Sequence, residues 1–378
     1  MPNGVEDSRF GGQTHALFCC GELNYDEFDL IPRALAPFSN GTRLSMSVET
    51  NIVGNASADR AGDVTEQPSL PSSEGCPSPL GWAEVLQSFR GESADWSVEV
   101  EGGLLRGRTL GRGRPLYLLN GISGNCELFC LVAWLLRDDF RCVLFDYRNS
   151  DTKQSTASRL VDDLFVVADA QQDRTFSIFA APFGSLVALS ALVEYPERIE
   201  RAILLGGFAH RHLSPFERLL CGFGHYLPGD LSRVPLRSTL QRASHQRGFP
   251  PFDASRWDFF AQNTSRTTIR DLAERASLMA MFDLREELQR IERPVHLIRT
   301  EHEGAVFSAA EDELERKLPQ VSSESIPLAG QLAYLTHPHR VAKAVRSFLG
   351  EPSSRQQASC EAIGLDNSCC ADHKDESP

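Results

Sequence analysis

Residues 176–189 read Phe176-Ser-Ile-Phe-Ala-Ala-Pro182-Phe-Gly184-Ser-Leu-Val-Ala-Leu189. An apolar run from Phe176 to Ala180 is followed by Pro182 and Gly184, and then by a second apolar run through Val193. Proline and glycine two residues apart punctuate a chain strongly. The stretch therefore reads as a buried strand, a turn and a buried helix from Gly184 to Val193. It is too interrupted to cross a bilayer. The longest unbroken apolar run, Leu128 to Leu136, has nine residues against the ~20 a membrane span needs.

The same rhythm extends in both directions. Val98 to Arg108 reads as a hairpin around Gly102-Gly103, and Leu116 to Leu119 as a short strand ending at Asn120-Gly121. Cys126 to Leu136 reads as a helix and Cys142 to Phe145 as a buried strand. Leu160, Val161, Leu164, Val167 and Ala168 mark one face of a helix, and Ala202 to Leu205 a further strand. Val295 to Ile298 and a last helix with Val341, Val345, Phe348 and Leu349 on one face complete the pattern. Apolar strands spaced by helices imply an α/β protein with a mostly parallel, doubly wound sheet. Residues 209–283 break the rhythm. They are rich in aromatic residues, carry ten Arg, no Lys and seven acids, and read as a helical insertion over one end of the sheet.

Composition divides the 378 residues further. Hydrophobic residues make up 41 % and charged residues 24 %, a globular balance. The net charge is -13. Residues 1–89 carry 12 acids against 4 bases and residues 351–378 carry 6 against 2, which leaves 33 against 32 between them. The expected organisation is a disordered acidic leader over 1–77, a domain over 78–350 and a disordered acidic tail over 351–378. One helix is expected at the edge of the leader, with Ser78 as N-cap, Pro79 at its first position and Trp82, Val85, Leu86 and Phe89 on its apolar face. A nearly neutral body gives no electrostatic footprint for nucleic acid.

The first ten residues have no apolar core, so no secretory signal is expected. The ten cysteines show no CxxC pair with matching ligands, so reduced thiols and a cytoplasmic location are expected. Cys126, Cys130, Cys142 and Cys221 read as small core residues. No metal and no cofactor is implied.

The order of motifs from about residue 95 to 350 resembles the α/β-hydrolase fold superfamily. Leu118-Leu119-Asn120-Gly121 resembles the strand end that starts the oxyanion loop. Phe145-Asp146-Tyr147-Arg148-Asn149 resembles the Asp-x-Arg-Gly turn after the next strand. Ser177 to Leu189 resembles the strand, elbow and helix around the nucleophile. Pro294 to Phe307 resembles the strand and loop that bear the acid. Leu328-Ala329-Gly330-Gln331, followed by Pro338 to Leu349, resembles the histidine loop and last helix. The resemblance implies a helical cap made by the insertion, an acid at Glu303 and an oxyanion pocket around Asn120, Gly121, Ile122 and Phe183, with the Ile122 and Phe183 amides as donors.

At two positions the chemistry departs from the family. The elbow motif is G-x-S-x-G, with its serine on a strained turn at positive φ. Here it reads Ala180-Ala181-Pro182-Phe183-Gly184, so the serine position is Pro182. Proline offers no hydroxyl and fixes φ near -65°. The histidine position is Gln331, which cannot act as a base near neutral pH. Ser123, Ser185, His302 and His337 are the groups nearby that could substitute, each more readily explained as a turn, cap or solvated residue. Two readings of function follow. One is a catalytically degenerate member that binds a small apolar or anionic ligand or a protein partner. The other is a carboxylester-type hydrolase that uses displaced groups. A role carried by the acidic tails is a third.

Overall fold

A computed structural model describes residues 81–100, 103–148, 157–234, 237–245, 248–249, 254–300 and 305–350. The expected leader and tail, the Ser78 cap, His302 and Glu303 lie outside these residues. The strands are β1 (Ala94–Val100), β2 (Gly103–Leu110), β3 (Arg114–Leu119), β4 (Phe140–Phe145), β5 (Phe176–Ala180), β6 (Ile199–Leu205), β7 (Val295–Arg299) and β8 (Val321–Ser325). They form one sheet in the order β1-β2-β4-β3-β5-β6-β7-β8. The β1–β2 hairpin is antiparallel, β2 is antiparallel to β4, and every later pairing is parallel. This is the mostly parallel α/β architecture that the sequence implies.

Helices cover both faces. They are α1 (Trp82–Glu92), α2 (Cys130–Leu136), α3 (Ala157–Ala170), α4 (Pro182–Glu194), α5 (Pro215–Gly224), α6 (Arg237–His245), α7 (Ala254–Ser265), α8 (Ile269–Met281), α9 (Ala305–Lys317), α10 (Ala333–Thr336) and α11 (Pro338–Gly350). Strand alternation sorts the core into two layers. Tyr117 and Leu119 of β3, Ile178 and Ala180 of β5 and Leu204 of β6 face α3, α4 and α9. Leu116, Leu118, Phe179, Ile203 and Leu205 face α1, α2 and α11. Each layer is closed by an apolar helical stripe, as Val85, Leu86 and Phe89 do for α1. None of the described helices is long and apolar enough to cross a membrane.

Helix α4 lies in the first of these layers and shows why its sequence has no amphipathic face. Every residue from Pro182 to Leu192 is buried. A helix packed on all sides is hydrophobic all round. It also begins two residues earlier than the sequence pattern suggests. Pro182 takes the first helical position, where its missing N–H costs nothing and its φ is already helical. Ala181 before it is extended, at φ -74° and ψ 171°. Helix α1 begins later than expected, at Trp82, because Gly81 is not helical. β8 reads Val-Ser-Ser-Glu-Ser and is mostly exposed, so no apolar alternation announces it. It is held by its parallel pairing with β7 and by Ser322 Oγ beside His296 Nδ1 at 2.8 Å. Its Glu324 charge suits an edge strand.

The sheet positions a site through its crossing order. β3 connects outward to β4, and the chain then returns past β3 to β5, so β4, β3 and β5 lie side by side. Connections leaving adjacent strands in opposite directions open a crevice at their carboxyl ends. Residues 120–125 after β3 and 181–183 after β5 stand at that crevice. The two segments approach through Gly184. A Cβ there would lie 2.6 Å from Leu119 O and 2.8 Å from Leu119 Cβ.

This contact predicts the sign of two glycine substitutions. Gly184→Ala should destabilise the protein by about 1–3 kcal/mol through overpacking against backbone. Gly222→Ala on α5, where a Cβ meets nothing within 4 Å, should stabilise it by up to about 1 kcal/mol through helix propensity. Urea melts of both variants beside wild type measure the two signs.

Candidate functional site

The loop after β3 is tied down by side chains from three directions. Asn120 is buried and donates from Nδ2 to Phe145 O at 2.5 Å, joining the ends of β3 and β4. Tyr147 donates its hydroxyl to Asn120 O at 2.9 Å. Asp146 accepts the Cys126 N–H at 2.7 Å, and Arg148 Nε donates to Asp163 Oδ2 at 2.8 Å. The turn after β4 thus braces the loop after β3.

The insertion contributes the third set of ties, and the sequence reading did not anticipate them. Arg275 of α8 is buried and donates from Nη1 to Ile122 O at 3.0 Å and from Nη2 to Tyr147 O at 3.4 Å. Its guanidinium lies over the Tyr147 ring at 5.5 Å. Burial lowers its pKa, while Asp271, Tyr147 and Asp146 oppose that shift. The guanidinium stays charged in any case. Gly124 makes room for it: at φ +68°, a Cβ there would lie 2.4 Å from Arg275 Nη1. Thr267 Oγ1 donates to Ser123 O at 2.8 Å, and Asn125 Nδ2 donates to Asn263 Oδ1 at 3.0 Å. Backbone at 122 and 123 and the side chain at 125 are therefore all held by residues of the insertion.

Between this loop, α4 and the insertion lies a cavity of about 60 Å³. Its floor is Gly121, Ile122, Ser123, Pro182 and Phe183. One side carries Gln331, Leu332 and Tyr334 from the loop before α10. The opposite wall is built by the insertion, with Gln241, His245, Phe260, Thr264, Leu272 and Met279 among its members. The expected site residues Gly121, Ile122, Phe183, Pro182 and Gln331 are brought together here. Asn120 is not among the lining residues and acts as a brace.

The positions that the resemblance assigns to nucleophile and base hold Pro182 and Gln331. Pro182 has no hydroxyl, and among the described residues only Gln172 and Leu328 combine a side chain with positive φ. Residue 182 is an ordinary helix start. Ser185 is fully buried and donates to Pro182 O at 2.6 Å, so its hydroxyl serves the first helical turn. His337 lies between α10 and α11 with Nδ1 2.9 Å from Thr336 Oγ1. Burial, with Arg340 and Arg256 nearby, lowers its pKa. Two backbone donors remain. Ile122 and Phe183 line the cavity, and neither N–H makes a backbone hydrogen bond among the described residues. The body cysteines are buried, as expected, and burial pushes the Cys130 and Cys142 thiols up to about 12. They are inert core groups.

His245 is the second group that the sequence reading passed over. It is buried at the end of α6 with its ring edge-on to Phe260, 5.9 Å between centroids. Burial lowers its pKa from 6.5 to about 4. The imidazole on the cavity wall is therefore neutral at pH 7.

Two measurements test these assignments. Arg275→Met should cost about 3–5 kcal/mol, because Asp146 and Asp271 lose a buried positive neighbour and the Ile122 and Tyr147 carbonyls lose their donor; chemical denaturation gives the value. For His245, the unfolded chain takes up a proton near pH 6.5 and the folded chain only near pH 4. The stability it allows is present above pH 6.5 and is lost as pH falls toward 4. At 1.36 kcal/mol per unit, the loss reaches about 3 kcal/mol. His245→Phe should flatten the slope of unfolding free energy against pH between 6.5 and 4. An unchanged slope would show that His245 is not buried in its neutral form.

A family model described as alpha/beta hydrolase fold matches residues 114–338. The chain is 25 % identical to pyrrolizixenacetamide deacetylase of Xenorhabdus hominickii over 265 residues, covering 63 % of this chain and 92 % of that one. It is 24 % identical over 254 residues to a pimeloyl-[acyl-carrier protein] methyl ester esterase of Nitrosomonas europaea, covering 61 % and 94 %. Among solved structures it resembles the enol-lactonase from Burkholderia xenovorans LB400, with a TM-score of 0.60 at 19 % identity over 68 % of this chain and 100 % of that one. A hydrolase from Pseudomonas aeruginosa PA01 gives a TM-score of 0.58 at 23 % identity over 69 % and 99 %. With the matched segment spanning β3 to the start of α11, this chain belongs to the alpha/beta hydrolase fold family.

Proposed function

We propose that this member of the family has given up the serine-hydrolase reaction and uses the cavity beside α4 to bind a small molecule. The observation that carries the reading is the identity of the cavity residues at the two reacting positions, Pro182 and Gln331. Acyl transfer needs a nucleophile, a base to take its proton and amides aimed at the developing oxyanion. Only candidate amides, those of Ile122 and Phe183, remain. Loss of nucleophile and base costs about 10⁶-fold in kcat in a serine hydrolase. What such a site retains is a concave, mainly apolar pocket with two N–H groups that suit a ligand oxygen. A concave apolar pocket with few polar groups favours a small molecule over a protein partner.

A second reading has one observation in its favour. Ser123 and the neutral His245 line the same cavity, so a hydroxyl and a potential base are both present. A base whose pKa lies near 4 accepts a proton poorly at pH 7. This makes the hydrolase that uses displaced groups the weaker alternative.

Hydrolysis of an activated aryl ester separates the two. The wild-type protein should turn over p-nitrophenyl acetate at background rate and should not be labelled by a fluorophosphonate. Pro182→Ser alone should not restore turnover, because Gln331 takes no proton. Pro182→Ser with Gln331→His supplies nucleophile and base together and should give a trace of activity. Wild-type turnover that survives Gln331→Ala and disappears in Ser123→Ala would establish the hydrolase reading instead.

A further inference from the structure

The wall that α6 presents to the cavity is built around a hydrogen-bond chain that fixes the orientation of one amide. Thr264 Oγ1 donates to Phe260 O at 2.9 Å. With its single proton used in the helix, that oxygen accepts from others. Arg237 Nη2 donates to it at 2.7 Å, and Gln241 Nε2 donates to it at 3.5 Å. Gln241 must therefore turn its NH₂ group toward Thr264 and its carbonyl oxygen away. That oxygen is buried without a hydrogen-bond donor, on a residue only 5 % exposed that lines the cavity. Leaving such an acceptor unmet costs about 1–3 kcal/mol in a folded protein. A buried polar atom of this kind calls for a specific explanation.

His245 follows one helical turn later on the same face, so the two side chains stand side by side. It is 8 % exposed and lines the same cavity. In either tautomer a neutral imidazole offers one donor and one acceptor. The wall thus presents an acceptor at Gln241 and a donor-acceptor pair at His245, set into apolar surroundings.

None of the described residues that line the cavity is Asp or Glu, so an ammonium group would meet no counter-charge from them. The cations around the cavity are already engaged. Arg211 pairs with Glu217 at 3.2 Å, and Arg275 donates to the Ile122 and Tyr147 carbonyls. A carboxylate would meet the Gln241 carbonyl and carries no proton to donate to it. A hydroxyl donates once and accepts once or twice, which matches both wall residues.

We propose that Gln241 and His245 form a hydroxyl-binding subsite, and that the ligand of this cavity is a small, uncharged, mainly apolar molecule carrying an alcohol group directed at α6. The proposal rests on the cavity being a ligand site, as argued above. It places the ligand's polar end on the insertion, opposite the two backbone amides of the floor.

The test uses the full-length chain and three probes of one size, 1-butanol, 1-chlorobutane and butanoate, titrated at pH 7 and followed by NMR chemical shifts. Wild type should bind 1-butanol at least fivefold more tightly than 1-chlorobutane and at least tenfold more tightly than butanoate. Gln241→Met removes the carbonyl at similar volume. It should bring 1-butanol and 1-chlorobutane to within twofold of each other while 1-chlorobutane binding persists. His245→Phe should also narrow the preference. Equal binding of 1-butanol and 1-chlorobutane by wild type, or tighter butanoate binding, would overturn the subsite and leave the cavity a ligand site. Failure of all three probes to bind would overturn the cavity reading itself.

Discussion

The architecture of the site depends on one close approach, that of Gly184 to the end of β3. A methyl group at this Cα would sit 2.6 Å from Leu119 O, inside any permitted contact. The missing side chain lets α4 start directly behind the carboxyl ends of β3 and β5. That in turn places Phe183 in the same cavity as Gly121 and Ile122. Ala181 N–H donates to Leu119 O at 3.0 Å, so the two strand ends are also hydrogen-bonded where they meet. Move α4 outward by the width of a methyl group and the crevice that the strand order creates would lose its floor. Catalysis is not needed to preserve this contact, because it is part of the core.

Much of the sheet was legible for a simple reason. Strands buried on both faces are mainly apolar from end to end, as Phe176 to Ala180 is, and flanking turn residues such as Pro182 and Gly184 mark where they stop. The hairpin before β3 and the last helix were visible from glycine placement and helical period. β8 was not, since an edge strand with four exposed residues out of five has no pattern to show. Within the site, Gly121, Ile122, Pro182, Phe183 and Gln331 could be placed because they follow strands whose order fixes their neighbours. Gln241, His245, Thr264 and Arg275 could not, because nothing along the chain says where an inserted helix will lie against a sheet. The available signals were the i, i+4 spacings of Gln241 with His245 and of Asp271 with Arg275. Such spacings are common on solvated helices. Only the packing of α6 and α8 distinguishes these pairs.

The insertion does more than cover the sheet. Its buried Arg275 holds the Ile122 carbonyl, its Thr267 holds the Ser123 carbonyl, and its Asn263 accepts from Asn125. A loop with this many directional ties has little freedom to rearrange, because each tie fixes a peptide plane or a side chain in a low-dielectric setting. The peptide plane that Arg275 grips through the Ile122 carbonyl carries the Ser123 N–H, and the Ile122 N–H belongs to the peptide before it. Insertion and floor therefore form one hydrogen-bonded unit.

Proline at position 182 fits this picture energetically. A strained residue at a functional turn costs of order 1–3 kcal/mol, which a working enzyme tolerates for its chemistry. Where the serine is not required, nothing supports that cost. Proline at the first position of α4 removes it: its φ suits the helix, its missing N–H would have had no intrahelical acceptor, and it extends the residue before it, as seen at Ala181. The substitution is therefore compatible with every neighbouring contact, including the Ser185 hydroxyl on the Pro182 carbonyl and the Gly184 approach to Leu119. Gln331 is likewise a neutral side chain buried on the cavity wall. On the reading proposed above, the two positions supply neither nucleophile nor base while the cavity beside α4 is kept, and a site of that kind is suited to holding a neutral molecule more than to transforming one.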